Sequence, residues 1–332
     1  MSQSKFIFTT LGFVVILLLL FIADISFGSI NLLSISKNDP IFSTIIFDIR
    51  LPKAITAIIT GSGLALCGLL MQSLFRNPLA GPYALGISSG SGLFVAIATI
   101  MVSTVSFAGH YFMGKSIVIL FAILGALLVT LIILWVAQRN KSNVTVLLVG
   151  LMLSQIFGAI QGLIEYLGNA ENIKTFIVWG MGNIGSTTLS DLSFILPVYF
   201  VVVLYSFTCV KSLNAILLSE QYAINLGINI KGTRIRIIII CAILVGLITA
   251  YCGPIAFVGI SVPIASRLFF KTAHHLHQIV FCLLLGAIVV LVADILCQLL
   301  SHQFALPLNT VTTIIGSPIV IYLLFKSKFS IS

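Results

Sequence analysis

The sequence predicts an all-α, polytopic membrane protein, and three observations carry that prediction. The 332 residues are 59% hydrophobic and 8% charged, whereas soluble domains run at roughly 45–50% apolar and about 25% charged. Mean hydropathy is +1.21. Apolar runs long enough to cross a hydrocarbon core of about 30 Å recur along the whole chain, without the alternation of a barrel strand. In hydrocarbon every backbone N–H and C=O must be satisfied within its own segment, which leaves the helix as the spanning element. About ten transmembrane helices fill the length, so a single transmembrane domain over 1–332 is expected, with no soluble domain beside it.

The first span, near 6–27, follows Lys5. Its apolar run from Phe6 to Ile22 exceeds the roughly 7–15 residues of a secretory leader core and lacks a small-x-small cleavage site, so an uncleaved helix is expected. The second, near 54–75, is bracketed by Arg50-Leu51-Pro52-Lys53 and by Arg76-Asn77-Pro78-Leu79-Ala80-Gly81-Pro82. The third lies near 83–103, the fourth near 115–137, the fifth near 144–166 and the sixth near 189–210. Small residues at helical spacing (Gly61, Ala65 and Gly68; Ser88, Ser89, Gly92 and Ala96) suit close helix packing rather than a pore lining. Only Gly253-Pro254 separates the seventh span, 234–252, from the eighth, 254–270; that pair reads as a turn or a kink, and 254–270 as a span or a shorter, tilted or re-entrant helix. The ninth and tenth fall near 278–299 and 309–325.

Charge sets the expected orientation. With the N-terminus inside, Lys5, Arg76, Arg139, Lys141, Lys211, Lys231, Arg234, Arg236, Arg267, Lys271, Lys326 and Lys328 are cytoplasmic, against Lys37, Arg50, Lys53, Lys115 and Lys174 outside. Cytoplasmic loops are enriched in Lys and Arg, so both termini are expected in the cytoplasm of a multi-pass inner-membrane protein. The net charge of +9 is scattered over loops without interleaved aromatics, which argues against nucleic acid. Cys67, Cys209, Cys241, Cys252, Cys282 and Cys297 sit in apolar spans and read as small buried hydrophobes. His274, His275 and His277 beside Lys271 read as a solvated basic loop, and no metal or other cofactor is expected. The chain has no phosphate-cradling G-x-x-x-x-G-K-[ST], no zinc helix and no nucleophile elbow, so no catalysis is assigned.

Several motifs resemble those of FecCD-type permeases, the membrane subunits of ABC importers for iron-siderophore, haem and cobalamin complexes. Arg50-Leu51-Pro52-Lys53 is similar to the family's R-L-P-R, which implies that Arg50 and Lys53 receive acidic residues of a periplasmic or lipoprotein substrate-binding protein. Asn77-Pro78-Leu79-Ala80-Gly81-Pro82 resembles the family's N-P-L-A-x-P, which implies a cytoplasmic constriction at Asn77, Pro78 and Leu79. Ser142-Asn143-Val144-Thr145 matches a second constriction, which adds Asn143 and Val144. The segment Leu213-Asn214…Gly227 resembles the short coupling helices that press into the ATPase, implying that role for Leu218, Ser219, Glu220, Ala223, Leu226 and Gly227. Trp179-Gly180-Met181-Gly182 looks like a W-x-x-G segment forming a short outer helix. Three departures stand out: Ile264 replaces the histidine of P-H-x-x-R, Ala305 the glutamate of E-x-P-x-G, and Gln298 an outer-rim cation.

The resemblance implies a transport subunit that works as a homodimer in membrane lipid with two ATP-binding cassette subunits, carrying a metal chelate with iron-siderophore first. The competing reading is an ion-coupled carrier using Asp294, the one acid well inside a span. That residue reads more simply as a partner in a cross-helix contact.

Overall fold

The computed structural model describes residues 3–28, 40–105, 111–139, 142–168, 170–300 and 306–326; Lys37, Lys141, Ala305 and Lys328 lie outside them. Regular structure among the described residues is helical throughout. In the first half run α1 (Gln3–Ser26), α2 (Pro40–Thr44), α3 (Leu51–Phe75), α4 (Ile87–Val105), α5 (Tyr111–Arg139), α6 (Asn143–Leu167) and α7 (Ala170–Gly180). The second half holds α8 (Leu189–Ser206), α9 (Val210–Leu218), α10 (Glu220–Asn225), α11 (Ile230–Cys252), α12 (Val258–Phe270), α13 (His275–Leu300) and α14 (Leu308–Lys326).

Among the described residues seven helices are long and apolar enough to cross a membrane: Gln3–Ser26, Ile41–Phe75, Ser116–Arg139, Asn143–Leu167, Leu189–Leu218, Ile230–Cys252 and His275–Leu300. Shorter apolar helices occupy Ile87–Thr99, Val258–Phe270 and Leu308–Ile321. Each predicted span therefore contains a helix, with boundaries moved for local reasons. The third begins at Ile87 because Pro82–Leu85 forms a 3-10 turn that Gly86 ends with φ 73°. The seventh begins at Ile230, four residues early, because the Asn229 side chain accepts from the Gly232 N–H at 2.8 Å and caps the helix.

Gly253-Pro254 is a break, not a kink. Gly253 has φ 72° and Phe257 φ 66°, and α12 then runs for 13 residues. At 1.5 Å per residue that is about 20 Å, short of the hydrocarbon thickness. Of the three histidines, His274 stays exposed in the loop before α13, but His275 and His277 do not. His275 opens α13 and is buried, and the His277 ring lies 4.2 Å from that of Phe6. Packing of Phe6 from α1 covers His277.

The chain forms two compact units. The first comprises Met1–Leu69, Asn183–Phe207 and Ile255–Ser332. Within it α1 and α12 pack on α13, and α14 on α12 and α13. Its closest approaches are made by glycine: a Cβ on Gly61 would overlap the Gly286 carbonyl, and one on Gly68 the Gly259 carbonyl. Phe270 and Phe281 stack with centroids 3.5 Å apart, and Phe6 meets Phe281 edge-on at 5.4 Å.

The second unit comprises Leu70–Gly182 and Thr208–Pro254. Here α4 packs against α5, α6, α7 and α11. Gly90 meets the backbone of Gly125, and the Ser88 and Thr249 hydroxyls lie 3.1 Å apart. Gln161 donates to the Ser89 carbonyl at 3.2 Å. Val95, Ala122 and Ala250 form a core, with Phe176, Trp179 and Tyr251 packed on it.

Helices in lipid gain little from the hydrophobic effect when they meet, so these small-residue contacts carry much of the association. Gly68→Ala should destabilise the detergent-solubilised protein by about 1–3 kcal/mol, the usual cost of overpacking. Gly12→Ala, where a Cβ meets nothing within 4 Å, should not lower stability. Thermal unfolding of both variants checks this; equal melting temperatures would contradict it.

Candidate functional site

The family-like motifs gather into three places. The first is the start of α3. Arg50 ends a π-helical segment, Ile45–Arg50, and is buried. Its Nη1 donates to the carbonyls of Ile25 at 2.8 Å and Ser26 at 2.9 Å. The last carbonyls of a helix lack intrahelical partners and carry partial negative charge, so a guanidinium there both bonds and neutralises them. One turn on, Lys53 Nζ lies 2.8 Å from Asp294 Oδ2, with the two side chains 22% and 4% exposed.

Gln298, one helical turn beyond Asp294, completes this cluster. Its Nε2 donates to Asp294 Oδ2 at 2.8 Å and to Asp24 Oδ1 at 2.7 Å. Asp24, Lys53, Asp294 and Gln298 thus tie α1, α3 and α13 together within the first unit. Asp294 makes the cross-helix contact, and its charge is compensated in place. A rim role for Arg50 and Lys53 would draw on side chains that here bond inside the chain.

The second place is the end of α3. Arg76 follows the helix with φ 49°, a left-handed conformation uncommon outside glycine. The Asn77 N–H bonds the Gln72 carbonyl at 3.2 Å, the Leu79 N–H donates to Asn77 Oδ1 at 2.9 Å, and the Ala80 N–H to the Asn77 carbonyl at 3.0 Å. Together with Pro78 these bonds make a tight turn that leaves Leu79 half-exposed. Asn143 comes to this turn from the start of α6, where Ser142 accepts from the Thr145 N–H at 3.3 Å. The Asn143 Nδ2 donates to the Leu74 carbonyl at 2.9 Å. The two expected constrictions are therefore joined through one helix end, with Val144 exposed beside them.

The third place is the α9–α10 pair. Ser219 caps α10, accepting from the Tyr222 N–H at 2.9 Å. Ala223 is fully buried against Ala215 and Ile216, with Ile228 and Ile230 packed on them. Gly227, at φ 76°, lets the chain reverse so that the Ile228 N–H reaches the Ala223 carbonyl at 3.0 Å. Leu218 (69%) and Leu226 (57%) stay exposed. Glu220 opens α10, within electrostatic reach of the buried Arg234.

Trp179 sits one residue before the end of α7, its carbonyl so close to Gly253 that a Cβ there would overlap it. Ile264 is buried in α12. Sequence reasoning missed the links between these places: Gln298 to Asp24, Asn143 to Glu220, and Arg76 to the Ile216 carbonyl. The four-residue spacing of Asp294 and Gln298 on one helix face was a usable signal. The other links carry none.

With this geometry in hand, comparison with known proteins is specific. The model of the FecCD transport family matches residues 9–326. The hemin transport system permease protein HmuU of Yersinia pestis is 31% identical over 329 residues, 96% of each chain. The vitamin B12 import system permease protein BtuC of Salmonella paratyphi A is 33% identical over 282 residues, covering 85% of this chain and 84% of that one. A solved structure showing an inward-facing conformation of a metal-chelate type ABC transporter superposes with a TM-score of 0.84 at 27% identity, covering 96% of this chain and 99% of the other.

The Lys53–Asp294 pair yields a direct test. Lys53→Met takes from Asp294 its ion-pair partner while Arg50 stays near Asp24, and breaking a buried pair costs up to about 3–5 kcal/mol. Lys53→Met/Asp294→Leu removes both charges and should recover most of the lost melting temperature in detergent. A double variant no more stable than the single one would refute the pairing.

Proposed function

This chain belongs to the FecCD transport family, the permease subunits of ABC importers, and we propose that its cargo is a metal chelate taken up by a binding-protein-dependent importer. It is a multi-pass transport subunit of the inner membrane, not an enzyme. Within the chelate class we put an iron-siderophore first, with haem or cobalamin as the other candidates; the named relatives handle hemin and vitamin B12.

The observation that carries the mechanism is the exposed apolar surface around α10. With six residues α10 cannot span a membrane, yet Leu218, Tyr222, Ile224 and Leu226 around it are all exposed. Exposed apolar side chains on helices too short to span fit a protein partner. We assign that partner as the ATP-binding cassette subunit, two copies serving a homodimer of this chain. A two-fold axis lets one kind of chain wall a whole pathway. Closure of the ATPase pair pushes on α9–α10, and the turn at Asn77–Leu79 with Asn143 and Val144 opens or narrows the cytoplasmic mouth. The lysine and arginine bias supports cytoplasmic termini, which puts α9–α10 on the ATPase side.

At the other mouth Arg50 and Lys53 meet the substrate-binding protein. In this scheme a partner carboxylate competes with Asp294 for the Lys53 ammonium, and the cations set register and encounter rate more than raw affinity.

In vesicles holding this chain with its ATPase, and binding protein supplied outside, chelate uptake should require ATP and survive an ionophore that collapses ion gradients. The chain alone should accumulate nothing. Uptake indifferent to ATP and abolished by the ionophore would restore the ion-coupled reading through Asp294.

A further inference from the structure

Two polar side chains join the end of α3 to the α9–α10 pair, and both take carbonyls that a helix leaves unpaired. Asn143 Nδ2 donates to the Leu74 carbonyl at 2.9 Å, in the last turn of α3, and also reaches Glu220 Oε1 at 3.4 Å, at the first residue of α10. The Arg76 guanidinium donates to the Ile216 carbonyl, in the last turn of α9. All of these residues lie in the second compact unit.

The chemistry favours a positioning role over plain stability. Among the described residues Asn143 Oδ1 is buried without a hydrogen-bond partner, an acceptor that a leucine would not have to satisfy. What the asparagine supplies is its donor edge, aimed at two oxygens on different elements. Arg76 holds a left-handed backbone, a conformation that persists only where the surroundings over-determine it. Its side chain is anchored on α9 while its backbone leads directly into Asn77-Pro78-Leu79. A push on α9 or α10 thus reaches the turn through two short polar struts, not through side chains that slide.

We propose that Asn143 and Arg76 are positioning residues that lock the α9–α10 pair to the 76–80 turn, so that the two move as one piece. As a mechanism this rests on the importer reading, but the lock itself is a property of the chain alone.

Hydrogen exchange on the purified protein in detergent tests the lock without an ATPase. Asn143→Leu should speed amide exchange in both 74–80 and 213–226 by about tenfold, the factor that loss of one charge-assisted hydrogen bond commands. Arg76→Met should do the same in 213–219, away from its own segment, and Arg76→Lys, which keeps a donor, should restore protection. Vesicle uptake then gives the functional readout: cargo moved per ATP hydrolysed should fall about tenfold in Asn143→Leu and Arg76→Met and recover in Arg76→Lys. Exchange that quickens only beside the substituted residue, with an unchanged transport-to-hydrolysis ratio, overturns the proposal. Quickened exchange in both segments, in a protein whose wild-type uptake ignores ATP, keeps the lock and sinks the importer reading instead.

Discussion

A polar group in an apolar surround must find its partner inside the protein, and the structure is organised by that demand. Water cannot repair an unpaired carbonyl or charge at membrane depth, where the penalty is several kcal/mol per group. Helices answer for the backbone between their ends. At the ends and at the few ionisable side chains the answer has to come from another element. Arg50 covers the last carbonyls of α1, Lys53 and Gln298 compensate Asp294, and Gln278 bonds both Ser266 Oγ at 2.7 Å and the Thr272 carbonyl at 2.6 Å. In each case the polar link also fixes the separation of two elements.

Apolar packing works differently. Lipid is as hydrophobic as leucine, so side-chain burial does little to draw two spans together, and close backbone approach has to serve. Glycine faces glycine at Gly61–Gly286, Gly68–Gly259 and Gly90–Gly125, bringing carbonyls into van der Waals contact with the opposing backbone. These contacts have no side-chain torsions to relax, which makes the packed spans stiff. The α9–α10 segment is the opposite case: a small core of Ala215, Ile216 and Ala223 under an exposed apolar rim. Within the second unit, a helix pair with so small a core depends on polar, directional anchors, which Arg76 and Asn143 supply.

Much of this architecture was legible along the chain. Helix positions follow from apolar runs and their Gly, Pro and Ser/Thr/Asn boundaries, so all ten predicted spans contain a helix. The α9–α10 segment shows its short amphipathic character and its terminating Gly227 in sequence. The misreadings share a cause. His275 and His277 looked like loop residues because their neighbours are polar, yet Phe6, from the far end of the chain, covers His277. The Lys53–Asp294 pair went unseen for a like reason, since no neighbour of either residue in the chain points to the other.

The sequence by itself determined that this is a helical membrane permease, roughly where its spanning helices lie, and to which family it belongs, because those properties depend on composition and on neighbours a few residues apart. Only the tertiary structure decided which polar group answers which. Gln298 meets Asp24 across 274 residues and Asn143 meets Glu220 across 77. Hydrogen bonds act over about 3 Å and have no periodicity to announce them. Their partners are chosen by how the helices pack, which no local pattern encodes.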